Sequence, residues 1–382
     1  MRNYTIARIW GIPIKISVSL LVFLPILAWV IGSGTQIDTY AGIVDGFAPH
    51  AVDAAALREG STPWVIGATA AVGLFVSVGI HELGHAWAAR RYGIGTESIT
   101  LWLLGGLAAL ESMPREWNRE FWIAIAGPIT SVLVAAACYL VVLALPASTP
   151  ITTFVFGWLV VTNVVLTVFN MLPAFPMDGG RVLRALLART QPYEVATRSA
   201  ARFGTAFAIL FAIVGVLNFA PLLILLSLFL YGAASSESRA VALQALLDGV
   251  TLEDVATLDA EPIDADASVA EFTDRMVRDR RTVYPVTDGG SIVGVVTLDA
   301  VRRSDAADRE STPVRSIMVE DVPTLALDAD AFEAFAQLSQ HPSGLALIES
   351  DGRAVGLVSM DDFTHVLQFR RDGVGVAPKE AF

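Results

Sequence analysis

Two imidazoles and a carboxylate stand close together in His81-Glu82-Leu83-Gly84-His85, the spacing H-E-x-x-H. On a helix, residues four apart share a face, so both imidazoles reach one metal ion and Glu82 stands beside it to handle water. Imidazole with carboxylate suits zinc. Zinc in a hydrolase takes three protein ligands and keeps a fourth position for water, so a third ligand must come from elsewhere. Asp178 is the best candidate, in Asn170-Met171-Leu172-Pro173-Ala174-Phe175-Pro176-Met177-Asp178-Gly179-Gly180, where two prolines and two glycines break the helix. A helix cap before Arg181 is the other reading of Asp178, and Glu194 and Glu111 are weaker ligand candidates. Two incidental histidines would leave three ionisable groups in an apolar segment, which is costly without a partner or cavity. The single cysteine, Cys138, excludes an intramolecular disulfide framework and a thiolate-rich metal site. His341 and His365 read as exposed or packing residues, and His50 as a loop residue.

The elements that must hold these residues are membrane helices. Of the residues 54% are hydrophobic and only 17% charged, and the mean hydropathy is +0.57. A spanning helix needs about 20 mostly apolar residues. Such stretches cover residues 16–33, 64–87, 121–145, 154–172, 203–217 and 221–232, six expected spans, of which the last two are short and either form a tight hairpin or extend into their flanks. The first could instead be a cleaved signal segment, but no small-residue cleavage site follows it at the usual distance. Basic residues set orientation. Arg2, Arg8 and Lys15 precede the first span; Arg90, Arg91, Arg115 and Arg119 lie between the second and third; Arg181, Arg184, Arg189, Arg198 and Arg202 lie between the fourth and fifth. Both termini and the tail are therefore expected in the cytoplasm of a multi-pass cell-membrane protein.

Charge marks the main boundary. Residues 1–232 carry a balance of +2 and residues 233–382 a balance of −14. An acidic, water-loving tail excludes nucleic acid as a partner, since binding phosphates needs a basic footprint. Lysine occurs only at 15 and 379, so arginine carries nearly all positive charge. That bias is shared by proteins of salt-loving archaea, the expected source, and by high-GC genomes. The tail also repeats itself. Val286-Thr287-Asp288-Gly289-Gly290-Ser291-Ile292-Val293-Gly294-Val295-Val296-Thr297 is echoed by Ile348-Glu349-Ser350-Asp351-Gly352-Arg353-Ala354-Val355-Gly356-Leu357-Val358-Ser359. Each reads as strand, Asp-Gly turn, strand, preceded by an amphipathic helical stretch. Two such α/β units imply a pseudo-symmetric pair burying a shared face.

Over residues 1–232 the chain resembles the site-2 protease family of intramembrane metalloproteases. The resemblance rests on His81-Glu82-Leu83-Gly84-His85, Leu104-Gly105-Gly106-Leu107, Ala126-Gly127-Pro128 and the segment ending Asp178-Gly179-Gly180. It implies one zinc ion held by His81, His85 and Asp178, with Glu82 as the base that takes the proton of water and passes it to the leaving amine. Met177 stands where family members typically have leucine, a mild apolar exchange. Asn170 matches a position implied to help hold substrate or oxyanion; a polar contact between helices is the alternative. Gly105 and Gly106 lie in a stretch that, if extended, pairs with an unwound membrane-protein substrate by strand addition; a flexible re-entrant turn is the alternative. Ala126-Gly127-Pro128 is read as close helix packing with a kink and no chemistry.

The tail resembles a tandem pair of cystathionine-β-synthase (CBS) domains, residues 248–303 and 313–370, after a linker at 233–247 and before an end piece at 371–382. The resemblance implies ATP or AMP between the units and a possible homodimer through them. The family pattern is met by Gly356, Ser359 and Asp362 in the second unit and by Gly294 and Thr297 in the first, where Ala300 replaces the aspartate. A pure dimerisation module is the other reading. The expected fold is thus a bundle of about six membrane helices followed by a cytoplasmic α/β CBS module. A transporter or channel with a CBS tail is the rival function; Glu82 beside the two histidines argues against it, because a metal carrier needs ligands but no base. No segment resembling a PDZ insertion is present to screen substrates.

Overall fold

A β-hairpin opens the chain. Strands β1 (Asn3–Ile9) and β2 (Ile12–Ser17) pair antiparallel and lead into helix α1 (Val18–Ile31), whose first turn is capped by the Ser17 hydroxyl. The first expected span thus loses residues 16 and 17 to β2. At 14 residues, α1 reaches about 21 Å, short of a hydrocarbon core of about 30 Å. Helix α2 (Gly34–Asp45) follows at a bend of 69°, so the two form one broken span or a re-entrant pair. The computed structural model describes residues 3–371 apart from 104, 113, 259–260, 280, 306–307 and 351–352. Leu104, the Asp351-Gly352 turn and residues 372–382 of the end piece lie outside the described residues.

Two units emerge, Met1–Arg239 and Ala240–Phe382. In the first, the H-E-x-x-H stretch lies on α3 (Thr62–Arg91). The chain then forms β3 (Thr96–Trp102) and β4 (Gly105–Leu110), followed by α4 (Trp117–Ala144), α5 (Pro150–Asn170), α6 (Asp178–Leu187), α7 (Tyr193–Leu217) and α8 (Pro221–Leu247). Among the described residues five helices, α3, α4, α5, α7 and α8, are long and apolar enough to cross a membrane, and the number is six when the bent α1–α2 pair is counted as one span. The two short expected spans extend into their flanks as α7 and α8, joined at Asn218–Ala220. Residues 233–247, the expected linker, are the C-terminal part of α8.

Small residues let these helices approach closely, the packing that works where apolar surface has no water to escape. Buried positions of α3 and α4 include Ala70, Ala71, Ala89, Ala124 and Ala135, whereas Val72, Val76, Leu133 and Leu140 point outward. Among the described residues the sheet runs β1-β2-β3-β4, with β2 parallel to β3 and β3 antiparallel to β4, so β4 is an outer strand.

The second unit contains α9 (Leu252–Val255), β5 (Thr257–Leu258), β6 (Ile263–Asp264), α10 (Val269–Asp279), β7 (Val283–Asp288), β8 (Ser291–Thr297), α11 (Leu298–Arg303), β9 (Thr324–Ala326), α12 (Ala331–Gln340), β10 (Leu345–Ser350), β11 (Arg353–Ser359) and α13 (Met360–Arg371). The repeat folds as two sheets, β6-β7-β8 and β5-β11-β10-β9. The halves exchange segments. Leu247, Val250, Leu252 and Val255 enter the core of the second half with Ala334, Ile348 and Phe363. Reciprocally, Val314 enters the core of the first half with Phe272, Tyr284 and Val296. Val295 packs with Leu345 and Leu347 where the two sheets meet, which is the shared face the repeat implies.

Candidate metal centre

One face of α3 carries His81, Glu82 and His85, and all three are buried. Asp178, the first residue of α6, meets them; Met177 occupies the N-cap position and its side chain makes no capping hydrogen bond. The Asp178 Oδ2 lies 3.1 Å from His81 Nε2 and 3.2 Å from His85 Nε2, and the two nitrogens are 3.2 Å apart. Three atoms in a nearly equilateral triangle of that size fit one face of a zinc tetrahedron. Ligands about 2.0 Å from zinc sit about 3.3 Å from each other. Among the described residues no other such group of His, Cys, Asp and Glu forms; Glu111 and Glu194 are not part of it.

The outer nitrogens of both rings are engaged. His85 Nδ1 donates to the Ile123 carbonyl at 2.7 Å, so its Nε2 presents a lone pair inward. His81 Nδ1 contacts Ser131 Oγ at 2.9 Å, and the same inward lone pair follows if Nδ1 donates there. Ile123, Gly127 and Ser131 are spaced by four on α4, so they form one stripe facing the imidazoles. At Gly127, an added Cβ would fall on Nε2 of both histidines. The glycine read as helix packing is therefore what leaves room for the two rings. Burial opposes charge on Asp178, but the facing imidazoles outweigh it and hold its carboxyl below the usual carboxylate range.

Glu82 Oε2 accepts a hydrogen bond from Ala108 N of β4 at 3.1 Å. Gly106 lies against the same side chain, and a Cβ there would overlap it. A cavity of about 290 Å³ brings together His81, Glu82, His85, Asp178, Gly105, Gly106 and Asn170. Arg181, one turn into α6, also lines it; sequence reasoning assigned this cation only to orientation. Ser131 and the Ile123 carbonyl were likewise missed, although Gly127 plus and minus four residues would have pointed to them.

The expected nucleotide residues do not all converge. Thr297 and Ser359 line one cavity of about 690 Å³, together with Asp299, Arg303, His341 and Asp361. Gly356 instead packs against the backbone of β5. Asp362 accepts from the backbone N–H and the hydroxyl of Ser359, each at 2.7 Å, and lines a separate cavity of about 280 Å³ with Asp254, His365 and Arg370. In the first half, Thr297 Oγ1 accepts from Ala300 N at 3.2 Å, a helix cap that needs no aspartate.

Comparison with known proteins identifies the family. The profile of Peptidase family M50 matches residues 69–156 and 144–214, and that of the CBS domain matches 252–306 and 314–368. A zinc metalloprotease of Methanocaldococcus jannaschii is 29% identical, over 96% of this chain and 96% of its own. Rip3 of Mycobacterium tuberculosis, provisionally named a zinc metalloprotease, is 32% identical over 96% of this chain and 93% of its own. The solved structure of a site-2 protease from M. jannaschii is 30% identical, with a TM-score of 0.42, and spans 62% of this chain and 96% of that one. Fold and site define a multi-pass membrane zinc metalloprotease with a paired CBS module. The chain belongs to peptidase family M50, the site-2 proteases.

Proposed function

We propose that the protein hydrolyses peptide bonds of membrane-protein substrates within or near the bilayer, with His81, His85 and Asp178 holding one zinc ion. The observation that carries this is the triangle of two imidazole nitrogens and a carboxylate oxygen beside Glu82, buried among helices long enough to span a membrane. Zinc bound there supplies Lewis acidity, which polarises a scissile carbonyl and acidifies an attacking water. Glu82 takes the proton from that water and delivers it to the leaving amine. The Ala108 N–H engages one Glu82 oxygen and leaves the other for the proton. Asn170 and Arg181 line the same cavity as donors toward negative charge developing on the substrate carbonyl.

The outer edge of β4 receives an unwound stretch of substrate by strand pairing, which opens a helical substrate and aligns its amides. His85 lies six residues before Arg91, about 9 Å along the helix axis. With the basic ends of the helices in the cytoplasm, cleavage falls near the cytoplasmic side of the bilayer. The cavity holding Thr297 and Ser359 suits an adenine nucleotide, with hydroxyls and Arg303 for its polar groups, and pairing of two CBS modules would make a homodimer. The test is cleavage of a single-span model substrate in liposomes by wild type, by Glu82→Gln and by chelator-treated enzyme. Cleavage lost in both controls and restored by zinc supports the reading. Undiminished cleavage by Glu82→Gln overturns it.

A further inference from the structure

A buried charge cluster lies beside the metal centre, and no step above uses it. Arg184 of α6 and Glu120 of α4 are each 1% exposed. The Arg184 Nε donates to Glu120 Oε1 at 2.7 Å, and its terminal nitrogens reach Glu120 and Glu237 at 2.5 Å each. We propose that the Arg184–Glu120 pair is a positioning device that holds Asp178 at the two imidazoles; this rests on the reading of His81, His85 and Asp178 as zinc ligands.

Location is the first argument. The Arg184 guanidinium also lies over the Phe175 ring, 5.0 Å from its centroid. Phe175 precedes Asp178 by three residues and Arg184 follows it by six, so one side chain grips the segment on both sides of the carboxylate. Glu120 sits one helical turn before Ile123, whose carbonyl orients His85. The ion pair therefore links the α4 stripe that sets the imidazoles to the segment that sets the carboxylate. Left to itself, α6 is only ten residues long and begins Asp178-Gly179-Gly180, with little side-chain surface to fix it.

Energetics is the second argument. A buried ion pair is dear in desolvation, and apolar residues of similar size commonly serve stability as well or better. The second Glu120 oxygen, Oε2, is buried without any hydrogen-bond partner, a further cost. A feature that stabilises poorly but fixes direction, through a planar fork with set geometry, is suited to registering one element against another.

Full-length protein in detergent provides the test, read by zinc affinity in chelator competition, by the visible spectrum of the cobalt-substituted form and by thermal unfolding. Wild type is measured first beside Asp178→Ala. One zinc in wild type, lost in Asp178→Ala, secures the underlying reading, and any other result overturns that reading rather than the role of the pair. The double variant Glu120→Leu/Arg184→Met should unfold near the wild-type temperature yet bind zinc more weakly, by on the order of 10- to 100-fold, with a shifted cobalt spectrum. Arg184→Lys keeps the charge and loses the fork, so it should show the same two changes, and it decides alone if the double variant does not fold. Unchanged zinc affinity and an unchanged cobalt spectrum in the folded variants overturn the proposal.

Discussion

In the proposed mechanism Glu82 and the three proposed ligand residues, His81, His85 and Asp178, divide their work by atom. Glu82 touches β4 and the cavity but is not one of the three atoms of the metal triangle. Glu82→Gln should therefore keep one zinc per chain while cleavage falls by about 100- to 10,000-fold, the usual worth of a positioned base; metal analysis beside a cleavage assay checks both. Two glycines separate the same functions sterically. Gly127→Ala places a methyl on both Nε2 atoms and should lose zinc and activity together. Gly106→Ala presses on the Glu82 side chain instead, so zinc should stay and cleavage should fall. If Gly127→Ala bound zinc like wild type, the close approach seen between α3 and α4 would be wrong.

Helix α4 acts as the back plate of the centre. Its stripe of Ile123, Gly127 and Ser131 gives one ring a carbonyl, both rings space and the other ring a hydroxyl. Ser131→Ala removes that hydroxyl without adding bulk. Zinc affinity should fall by on the order of 10- to 100-fold, with little change in unfolding temperature, because such outer partners orient ligands rather than support the core. Chelator competition measures the first and a thermal melt the second. The i, i+4 pair on α3 was legible in the chain because helical spacing is local. The α4 stripe was not, since nothing in its own periodicity says which helix it will face. Likewise the stretch at residues 16–33 reads as one apolar run, whereas Ser17 caps a helix after a strand and the run breaks into α1 and α2.

Across the whole molecule, the CBS module has its own internal logic. Thr297 and Ser359 share the large cavity, so Thr297→Ala and Ser359→Ala should each weaken binding of AMP or ATP to the full chain, read by calorimetry. Asp362 behaves differently, since it anchors the backbone and hydroxyl of Ser359 from outside that cavity. Asp362→Ala should cost about 1 kcal/mol or more of the module's stability through the orphaned N–H, seen as a lower unfolding temperature. Normal nucleotide binding by both the Thr297 and the Ser359 variant would remove these hydroxyls from the site, and no binding by the wild-type chain would leave the dimerisation reading as the better account of the tail.

Much of this protein is written locally. Four-residue spacing on a helix puts His81, Glu82 and His85 together whatever the rest of the chain does. Runs of apolar residues dictate membrane helices because a bilayer leaves backbone groups no other partner. A repeated strand-turn-strand pattern dictates paired α/β units, and the charge break between the halves separates membrane from water. Only the tertiary structure brings Asp178, rather than Glu111 or Glu194, to within 3.2 Å of both imidazoles, across 97 residues from His81. It alone shows that Gly127 makes room for them, that Arg184 and Glu120 bury their charges together, and that the CBS halves exchange segments. These are contacts between distant stretches. Their pairing depends on which surfaces fit when the whole chain closes, and no local spacing encodes that fit.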